Sequence, residues 1–186
     1  KDINGEILKY LESYTIDNTT THVPNPLLNA GQNYLDDKSK FSFRNNFRVE
    51  YRYDTALKLE AKFSLEKINQ TEEVFKSPYH SDFDETREAE RGHYIKKTRN
   101  DMNYAGDISA VYGNYFNEKH QVNVIGRMDF TSNKSTRDSY TAIGFPDDEI
   151  PNPAFADRFA TAKKPEYTKK SSRTLNFILN ANYSYM

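Results

Sequence analysis

The chain of 186 residues contains no cysteine and no tryptophan. Without cysteine there are no disulfides, zinc–thiolate sites or cysteine nucleophiles. No apolar run approaches the ~18 residues that a membrane helix needs, which excludes a helical membrane protein. The 26 basic residues nearly balance the 27 acidic ones. This balance gives no electrostatic attraction for nucleic acid, so we expect no nucleic-acid partner.

The clearest positive feature is the alternation of polar and apolar residues. From residue 41 to residue 53 the odd positions are mostly aromatic or aliphatic, whereas the even positions are Ser, Arg, Asn and Glu. One face of such a strand is apolar and the other is charged. Similar patterns predict strands over residues 39–53, 56–70, 93–113, 120–136 and 171–186. About fifteen residues rise roughly 50 Å, which spans a bilayer even at the tilt of about 40° that barrel strands adopt.

The connections between these strands are alternately short and long. Residues 54–55 and 114–119 form short turns, whereas residues 71–92 and 137–170 form long loops. Residues 1–38 are predicted to be another loop, with room for a short hairpin around residues 7–16, because Asn18 and the Asn25-Pro26 pair break the periodicity. Outer-membrane barrels have short periplasmic turns and long extracellular loops. We therefore expect the short turns of the hairpins at 39–70 and 93–136 to lie at the periplasmic rim and the long loops to lie outside the cell.

These patterns predict an all-β fold, an antiparallel transmembrane β-barrel segment of about five long strands. The last predicted strand, residues 171–186, runs to the end of the chain without a turn, so we expect a slice of a longer, single barrel domain. Aromatic rings recur at the short-turn end of three strands and are expected to form a membrane-interface girdle: Tyr51, Tyr53, Tyr112, Tyr183 and Tyr185.

The two faces of the strands are expected to meet different surroundings. The polar positions are predicted to face the lumen: Arg44, Arg48, Arg52, Glu60, Asp107, Asn123, Arg127, Asp129 and Asn180. The apolar positions are predicted to face lipid: Phe47, Val49, Leu59, Phe63, Ile108, Val122, Val124 and Leu179. A secreted β-sandwich that binds carbohydrate or mediates adhesion is the alternative, because alternation alone does not say which face is buried. Strand length favours the barrel, since soluble strands usually have about five or six residues.

No motif points to an enzyme or to a cofactor. The sequence lacks a G-x-S-x-G elbow, and its four histidines lie scattered over loops and turns. Two clusters contain residue types that bind metal ions, but neither has the residue spacing of a known zinc or calcium site. They are His80, Asp82, Asp84, Glu85 and His93, and the run Asp147, Asp148 and Glu149. Aromatic residues in the long loops are candidate contacts for a ligand or a partner protein, although packing within the loops explains any one of them as well: Tyr79, Phe83, Tyr140, Phe145, Phe155 and Phe159.

Three loop segments carry a resemblance to a known family. They are NPLLNA at residues 25–30, VFKSPYHSDF at residues 74–83 and GFPDDE at residues 144–149. In this order, and with strands between them, they resemble the SusC/RagA family of TonB-linked outer-membrane transporters of Bacteroidetes. The resemblance covers nearly the whole chain but only a middle slice of such a protein.

The resemblance implies a function that the strands alone do not. It implies a barrel of about 22 strands around an amino-terminal plug, closed from outside by a SusD-like lipoprotein and powered through TonB. The expected partners are therefore the rest of the barrel and its plug, the lipoprotein, TonB and outer-membrane lipid. The expected substrate is a nutrient glycan or oligopeptide, and the expected location is the bacterial outer membrane. A passive porin is disfavoured by the resemblance more than by the strands.

Overall fold

The computed structural model describes residue 5 and residues 7–161 and 164–185. Residues 1–4 and 6 of the predicted first loop therefore lie outside the described residues, as do residues 162, 163 and 186. The described part of the chain contains eight strands: β1 Tyr10–Ile16, β2 Thr19–Pro24, β3 Tyr34–Arg52, β4 Leu57–Lys76, β5 His93–Phe116, β6 His120–Ile143, β7 Arg158–Phe159 and β8 Glu166–Tyr185. Its helices are short: α1 Pro26–Ala30 and 3-10 turns at Ser81–Phe83, Glu88–Glu90 and Pro153–Phe155.

The strands form two sheets. The strands β1 and β2 pair with each other in a separate antiparallel hairpin. The larger sheet has six strands in the order β3-β4-β5-β6-β7, and β8 also pairs with β6. The sheet is open, and its fold class is the antiparallel β-barrel segment that the alternation predicts. No helix within the described residues is long and apolar enough to cross a membrane.

The long strands extend further than the sequence predicts. β3 begins at Tyr34 instead of residue 39, β4 continues to Lys76, and β6 continues to Ile143. β8 begins at Glu166, within the loop predicted for residues 137–170. Cross-strand ion pairs join the extended parts of the strands, for example Lys96 to Glu73 at 2.6 Å. The backbone ladder therefore continues after the apolar alternation has ended.

The two short connections are tight turns. In the first, the Oδ1 atom of Asp54 accepts hydrogen bonds from the backbone N–H groups of Ala56 and Leu57 at 2.8 and 2.7 Å. In the second, Asn117 and Glu118 take positive φ angles of 49° and 57°. Such turns join neighbouring antiparallel strands without displacing them, so each hairpin keeps one polar and one apolar face.

The prediction of an irregular loop over residues 1–38 is wrong for its middle and its end. Asp17 and Asn18 take φ angles of 48° and 63° and form the turn between β1 and β2, where Ile16 pairs with Thr19. Successive positive φ angles are the hallmark of a type I′ hairpin turn, and Asn favours them. The short hairpin allowed around residues 7–16 lies further along the chain, because its second strand is a run of threonines with no apolar alternation to mark it. The same predicted loop also contains α1 and the start of β3.

The chain divides into two compact units. The loop unit comprises the amino-terminal segment up to Ser39, Thr71–Thr98 and Asp138–Tyr167. The sheet unit comprises Lys40–Gln70, Arg99–Arg137 and the chain from Thr168 onward. Strands β3, β4, β5, β6 and β8 contribute residues to both.

The loop unit has a small aromatic core. Phe75 is fully buried, and its ring meets the ring of Phe145 edge-on at a centroid distance of 5.1 Å. Tyr94 and Ala142 complete the buried cluster. Gly144 precedes Phe145 with a φ of +79°, and an added Cβ would lie 2.6 Å from the carbonyl oxygen of Ala89. Only glycine fits here, because both the backbone angle and the available space exclude a side chain.

The sheet unit has an aromatic cluster on its apolar face. The ring of Phe63 lies 6.5 Å from the ring of Tyr104 and 6.5 Å from that of Phe130. Gly106 makes room for this cluster, since an added Cβ would stand 2.5 Å from Cε1 of Phe130. A ring that covers a strand glycine in this way fills space that a side chain would otherwise occupy.

Candidate functional site

The polar positions of the long strands come together on one face of the sheet unit. The guanidinium of Arg44 donates to Oε1 of Glu66, and Nδ2 of Asn103 donates to Oε2 of the same residue at 3.1 Å. These three residues line a shallow cavity of about 240 Å³ together with Asn133. Strands β3 to β6 therefore share one hydrogen-bonded polar surface.

A second group of charges lies nearer the short turns. Glu60 accepts a hydrogen bond from Arg48 at 2.8 Å and also pairs with Lys62. Nε of Arg52 donates to Glu50 at 2.9 Å. Exposed ion pairs contribute little stability individually, but a network orders the long side chains that form it.

The carboxylates of β5 and β6 are held by a cation and an amide. The guanidinium of Arg127 lies 3.9 Å from Asp107 and 3.7 Å from Asp129. Nδ2 of Asn176 donates to Asp129 at 2.8 Å, which connects β8 to the same surface. At the short-turn end, Nδ2 of Asn182 donates to Asn180 at 3.0 Å, and Asn123 lies opposite Gly113. The structure thus brings the predicted polar positions to one face, and that this face lines a lumen stays a prediction.

The opposite face is apolar and largely uncovered. Phe47, Val49 and Leu179 are 57%, 67% and 78% exposed. Exposed apolar area of this extent is rare on a soluble monomer and indicates contact with lipid or protein. That these residues face lipid stays a prediction.

The predicted tyrosine girdle has an additional member. Nδ1 of His120 and the hydroxyl of Tyr183 are hydrogen-bonded at 2.7 Å, and the His120 ring also packs 5.2 Å from the ring of Tyr185. Tyr51 and Tyr53 are exposed on the apolar face, while the hydroxyl of Tyr112 accepts a hydrogen bond from Asn114 at 3.3 Å. His120 was missed because the predicted girdle was built from tyrosines, although His120 has the same apolar-face parity as Val122 and Val124.

In the loop unit, the three sequence motifs that resemble a known family meet. Nδ2 of Asn29 donates to Oγ of Ser81 at 2.8 Å, and the backbone N–H of Ser81 donates back to Oδ1 of Asn29 at 3.1 Å. Asn33 donates to Asp148 through its backbone and its side chain at 3.0 and 2.8 Å. The hydroxyl of Tyr79 reaches the carbonyl of Pro146 at 3.4 Å. Residues far apart in sequence therefore form one ordered surface.

The candidate aromatic contacts separate into buried and exposed groups. Phe83 and Phe145 are buried in the loop unit, at 5% and 4% exposure, and this burial removes them from the candidate contact surface. Tyr140 is half-buried and contacts Phe159 edge-on at 5.6 Å. Tyr79, Phe155 and Phe159 are at least half exposed, at 55%, 50% and 52%. They are the aromatic side chains of this set that a ligand or partner can reach.

The acidic clusters serve to hold the loops together. Asp82 pairs with Lys76 at 2.5 Å, and Asp147 accepts a hydrogen bond from the backbone N–H of Glu149 at 3.1 Å. Among the residues that the structure describes, no group of three or more potential ligands gathers to hold a metal ion.

Asp84 ties the hairpin β1–β2 to the rest of the loop unit. It accepts a hydrogen bond from the Tyr10 hydroxyl at 2.7 Å and pairs with Lys9 at 2.6 Å. Burial acts to raise the pKa of Asp84, but the hydrogen bonds from Lys9 and Tyr10 outweigh it and leave the pKa below its usual range. Such a group stabilises the folded loop at pH values above the ordinary Asp pKa of about 3.9 and loses this contribution as the pH falls through its lowered value.

We expect the substitution Asp84→Asn to loosen the hairpin, because it removes the charge that Lys9 and Tyr10 bind. Hydrogen–deuterium exchange over residues 10–24 should become faster by a few fold. In the unsubstituted protein, the same increase should develop as the pH is lowered below about 4. Glu12→Gln, at an exposed position of β1, is the matched control and should leave the exchange unchanged. Equal exchange in both variants would mean that Asp84 does not hold the hairpin.

The fold and the surface together define a class of structure, an open piece of antiparallel β-barrel wall with an ordered loop unit. Comparison with solved structures finds this fold in RagAB peptide importers. The chain matches the RagAB peptide importer in its open-open state over 98% of its own length, with a TM-score of 0.72 and 15% identity. Structures of the RagAB peptide transporter and of the importer in its closed-closed state match equally well, with TM-scores of 0.72 and 0.71.

The match concerns one part of those proteins. The chain spans 19% of the length of the matched chains. At 15% identity the likeness shows the fold. No family model matches the sequence, and no curated protein does.

Proposed function

We propose that this chain forms part of the barrel wall of a TonB-dependent outer-membrane importer. The observation that carries the proposal is the match to RagAB importers over 98% of the chain. The resemblance of the three loop motifs to the SusC/RagA family supports the same assignment independently, because these motifs meet in one hydrogen-bonded surface.

In this proposal the two faces of the sheet unit have different roles. The apolar face contacts the hydrocarbon of the outer membrane, and the ion-paired face lines the lumen. A spanning sheet satisfies its backbone groups only by closure, so β3 and β8 pair with further strands of the same barrel. A plug fills the lumen, and TonB acts on that plug from the periplasm.

The loop unit then lies on the extracellular side, where it contacts a SusD-like surface lipoprotein or the substrate. The substrate is a nutrient oligomer, a glycan or an oligopeptide. The matched importers are named for peptides, which favours the oligopeptide. Tyr79, Phe155 and Phe159 supply exposed rings for this contact.

A secreted β-sandwich is less consistent with the exposed apolar face. A sandwich packs a second sheet on that face. Val49 and Leu179 would then be buried, but they are 67% and 78% exposed.

The proposal is tested by fractionating cells that produce the complete protein and by measuring uptake of labelled oligopeptides and oligosaccharides. We expect the protein in the outer-membrane fraction and uptake of one substrate class that depends on TonB. Recovery as a secreted soluble protein would overturn the proposed function. If the protein inserted in the outer membrane but uptake continued in cells without TonB, the protein would be a passive porin instead of a TonB-dependent importer.

We expect the combined substitution Tyr79→Ala and Phe155→Ala to weaken lipoprotein or substrate binding by about tenfold, because exposed aromatic anchors dominate such contacts. The assembled barrel should be produced in normal amounts, since both side chains are exposed. Binding is measured by pull-down of the lipoprotein and by titration with labelled substrate. Phe116→Ala is the control, an exposed ring at a short turn. If the double variant bound both the lipoprotein and the substrate as well as the unsubstituted protein does, Tyr79 and Phe155 would not be part of the contact surface.

A further inference from the structure

Three exposed cations lie on the apolar face of the sheet unit, just beyond the end of its band of apolar residues. Lys67 lies on β4, Lys134 on β6 and Arg173 on β8. Their polar-face neighbours in sequence are Glu66, Asn133 and Ser172, and successive side chains of a strand point to opposite faces. The three cations therefore share the face that carries Phe63, Phe130 and Leu175.

The same neighbours show that the three cations lie close together across the sheet. Glu66 and Asn133 line one cavity on the polar face. Nδ2 of Asn133 donates to Oγ of Ser172 at 3.5 Å. Each cation follows one of these residues in its strand, and β8 runs opposite to β6. Lys67, Lys134 and Arg173 therefore form a row on the opposite face whose members lie within about two residues, roughly 7 Å, of one level.

The row differs from the ion-paired cations of the polar face in having no acidic partner. Within the described residues, Lys67, Lys134 and Arg173 form no ion pair, whereas Arg44 and Lys62 pair with Glu66 and Glu60. An uncompensated row of charges beside an apolar surface has a strong attraction for anions.

The row stands at a particular height along the strands. The girdle residue His120 and the cluster residue Phe130 are ten positions apart on β6. This spacing gives roughly 25 Å along the axis of a barrel with a tilt of about 40°, the usual height of the apolar band. Lys134 follows Phe130 by four positions, about 10 Å further along the axis. In a barrel with this tilt, that distance puts the row at headgroup level, beyond the end of the apolar band that lies away from His120.

We propose that Lys67, Lys134 and Arg173 bind the phosphate groups of anionic lipid headgroups in the leaflet on the long-loop side. The inference rests on the proposed function, because it requires the apolar face to lie in a membrane. The stems of the lysines extend along the apolar surface while their ammonium groups reach the headgroups. The planar guanidinium of Arg173 donates two hydrogen bonds to one phosphate. The net charge of the chain is only −1. It does not reveal this local row of positive charge, because most other cations are paired with acidic residues or lie on the polar face.

The test uses the complete protein in nanodiscs of neutral phosphatidylcholine, titrated with phosphatidylglycerol and with a phosphorylated glycolipid. Bound anionic lipid is counted by native mass spectrometry. We expect the triple substitution K67Q/K134Q/R173Q to lower the affinity for both anionic lipids on the order of 100-fold, about fivefold per cation. The charge-preserving triple K67R/K134R/R173K is the matched control and should retain binding. Added salt should weaken binding to the unsubstituted protein.

The outcomes distinguish this proposal from the function on which it rests. Equal binding of anionic lipid by the glutamine triple and the unsubstituted protein, both inserted in neutral discs, would overturn the lipid site alone. Loss of binding in the charge-preserving triple would also overturn it, because charge would not be the determinant. Failure of the unsubstituted protein to insert in neutral discs would overturn the proposed function and the lipid site together.

Discussion

Val124→Arg is expected to impair assembly of the protein in the outer membrane far more than the same change at the neighbouring polar-face position. Val124 lies on β6 between the girdle residue His120 and the aromatic cluster at Phe130, on the apolar face. A charge at the midplane of the lipid-facing surface costs about 2–4 kcal/mol. That cost is a large part of the ~5–15 kcal/mol that stabilises a typical folded protein. The equilibrium constant for folding should fall by roughly thirtyfold or more, as measured by heat-modifiable migration on gels over a urea titration.

Asn123→Arg is the matched control, since it adds the same side chain one position away on the polar face. Neighbouring polar-face residues already include Arg127 and two carboxylates, so a further cation is accommodated in water at little cost. We expect near-normal assembly. Equal tolerance of arginine at both positions would contradict a membrane location for the apolar face and would favour the β-sandwich alternative.

Alternation predicted the long strands because it reflects the one constraint that acts along their whole length, the contrast between two faces. It located the tight turn at residues 54–55, since turn residues interrupt the pattern, but it began the second turn at residue 114, whereas β5 continues to Phe116. It placed strand ends inaccurately. β4 and β6 continue for several residues beyond the regular alternation, into the buried positions Phe75 and Ala142, with ion pairs such as Lys96 with Glu73 beside them.

The hairpin β1–β2 shows the opposite failure. Its second strand reads TTTHVP, and most of its side chains are exposed on both faces. A strand without a buried face has no hydrophobic signal. The Asp17-Asn18 turn was the available signal, because both residues tolerate positive φ, and it was read as a break in a loop.

The loop contacts could not have been predicted from local sequence. Asn29 and Ser81 exchange two hydrogen bonds across 52 positions, and Asn33 meets Asp148 across 115 positions. Likewise, nothing in the local pattern separates the buried Phe83 and Phe145 from the exposed Phe155. Burial in a loop depends on which distant segment packs over it, and a single sequence does not state that.

Phe75→Ala is expected to unfold the loop unit. Phe75 is fully buried and packs edge-on against Phe145, beside Tyr94 and Ala142. Replacing a buried phenylalanine by alanine typically costs about 3–5 kcal/mol, from lost burial and from the cavity left behind. The small core of this unit offers few other contacts to compensate. Protease cleavage and hydrogen–deuterium exchange within residues 77–94 and 144–160 should rise by roughly a hundredfold or more, as this cost implies.

Phe155→Ala is the matched control, because it removes the same ring from a half-exposed position of the same unit. Its exchange should stay within about twofold of the unsubstituted protein, consistent with a surface change of at most ~0.5 kcal/mol. Phe75→Leu should be intermediate, since leucine fills most of the space and retains its burial. If Phe75→Ala and Phe155→Ala left the loops equally protected, the cluster around Phe75 would not be what holds them. The two hydrogen bonds between Asn29 and Ser81 would then be the next contacts to remove by substitution.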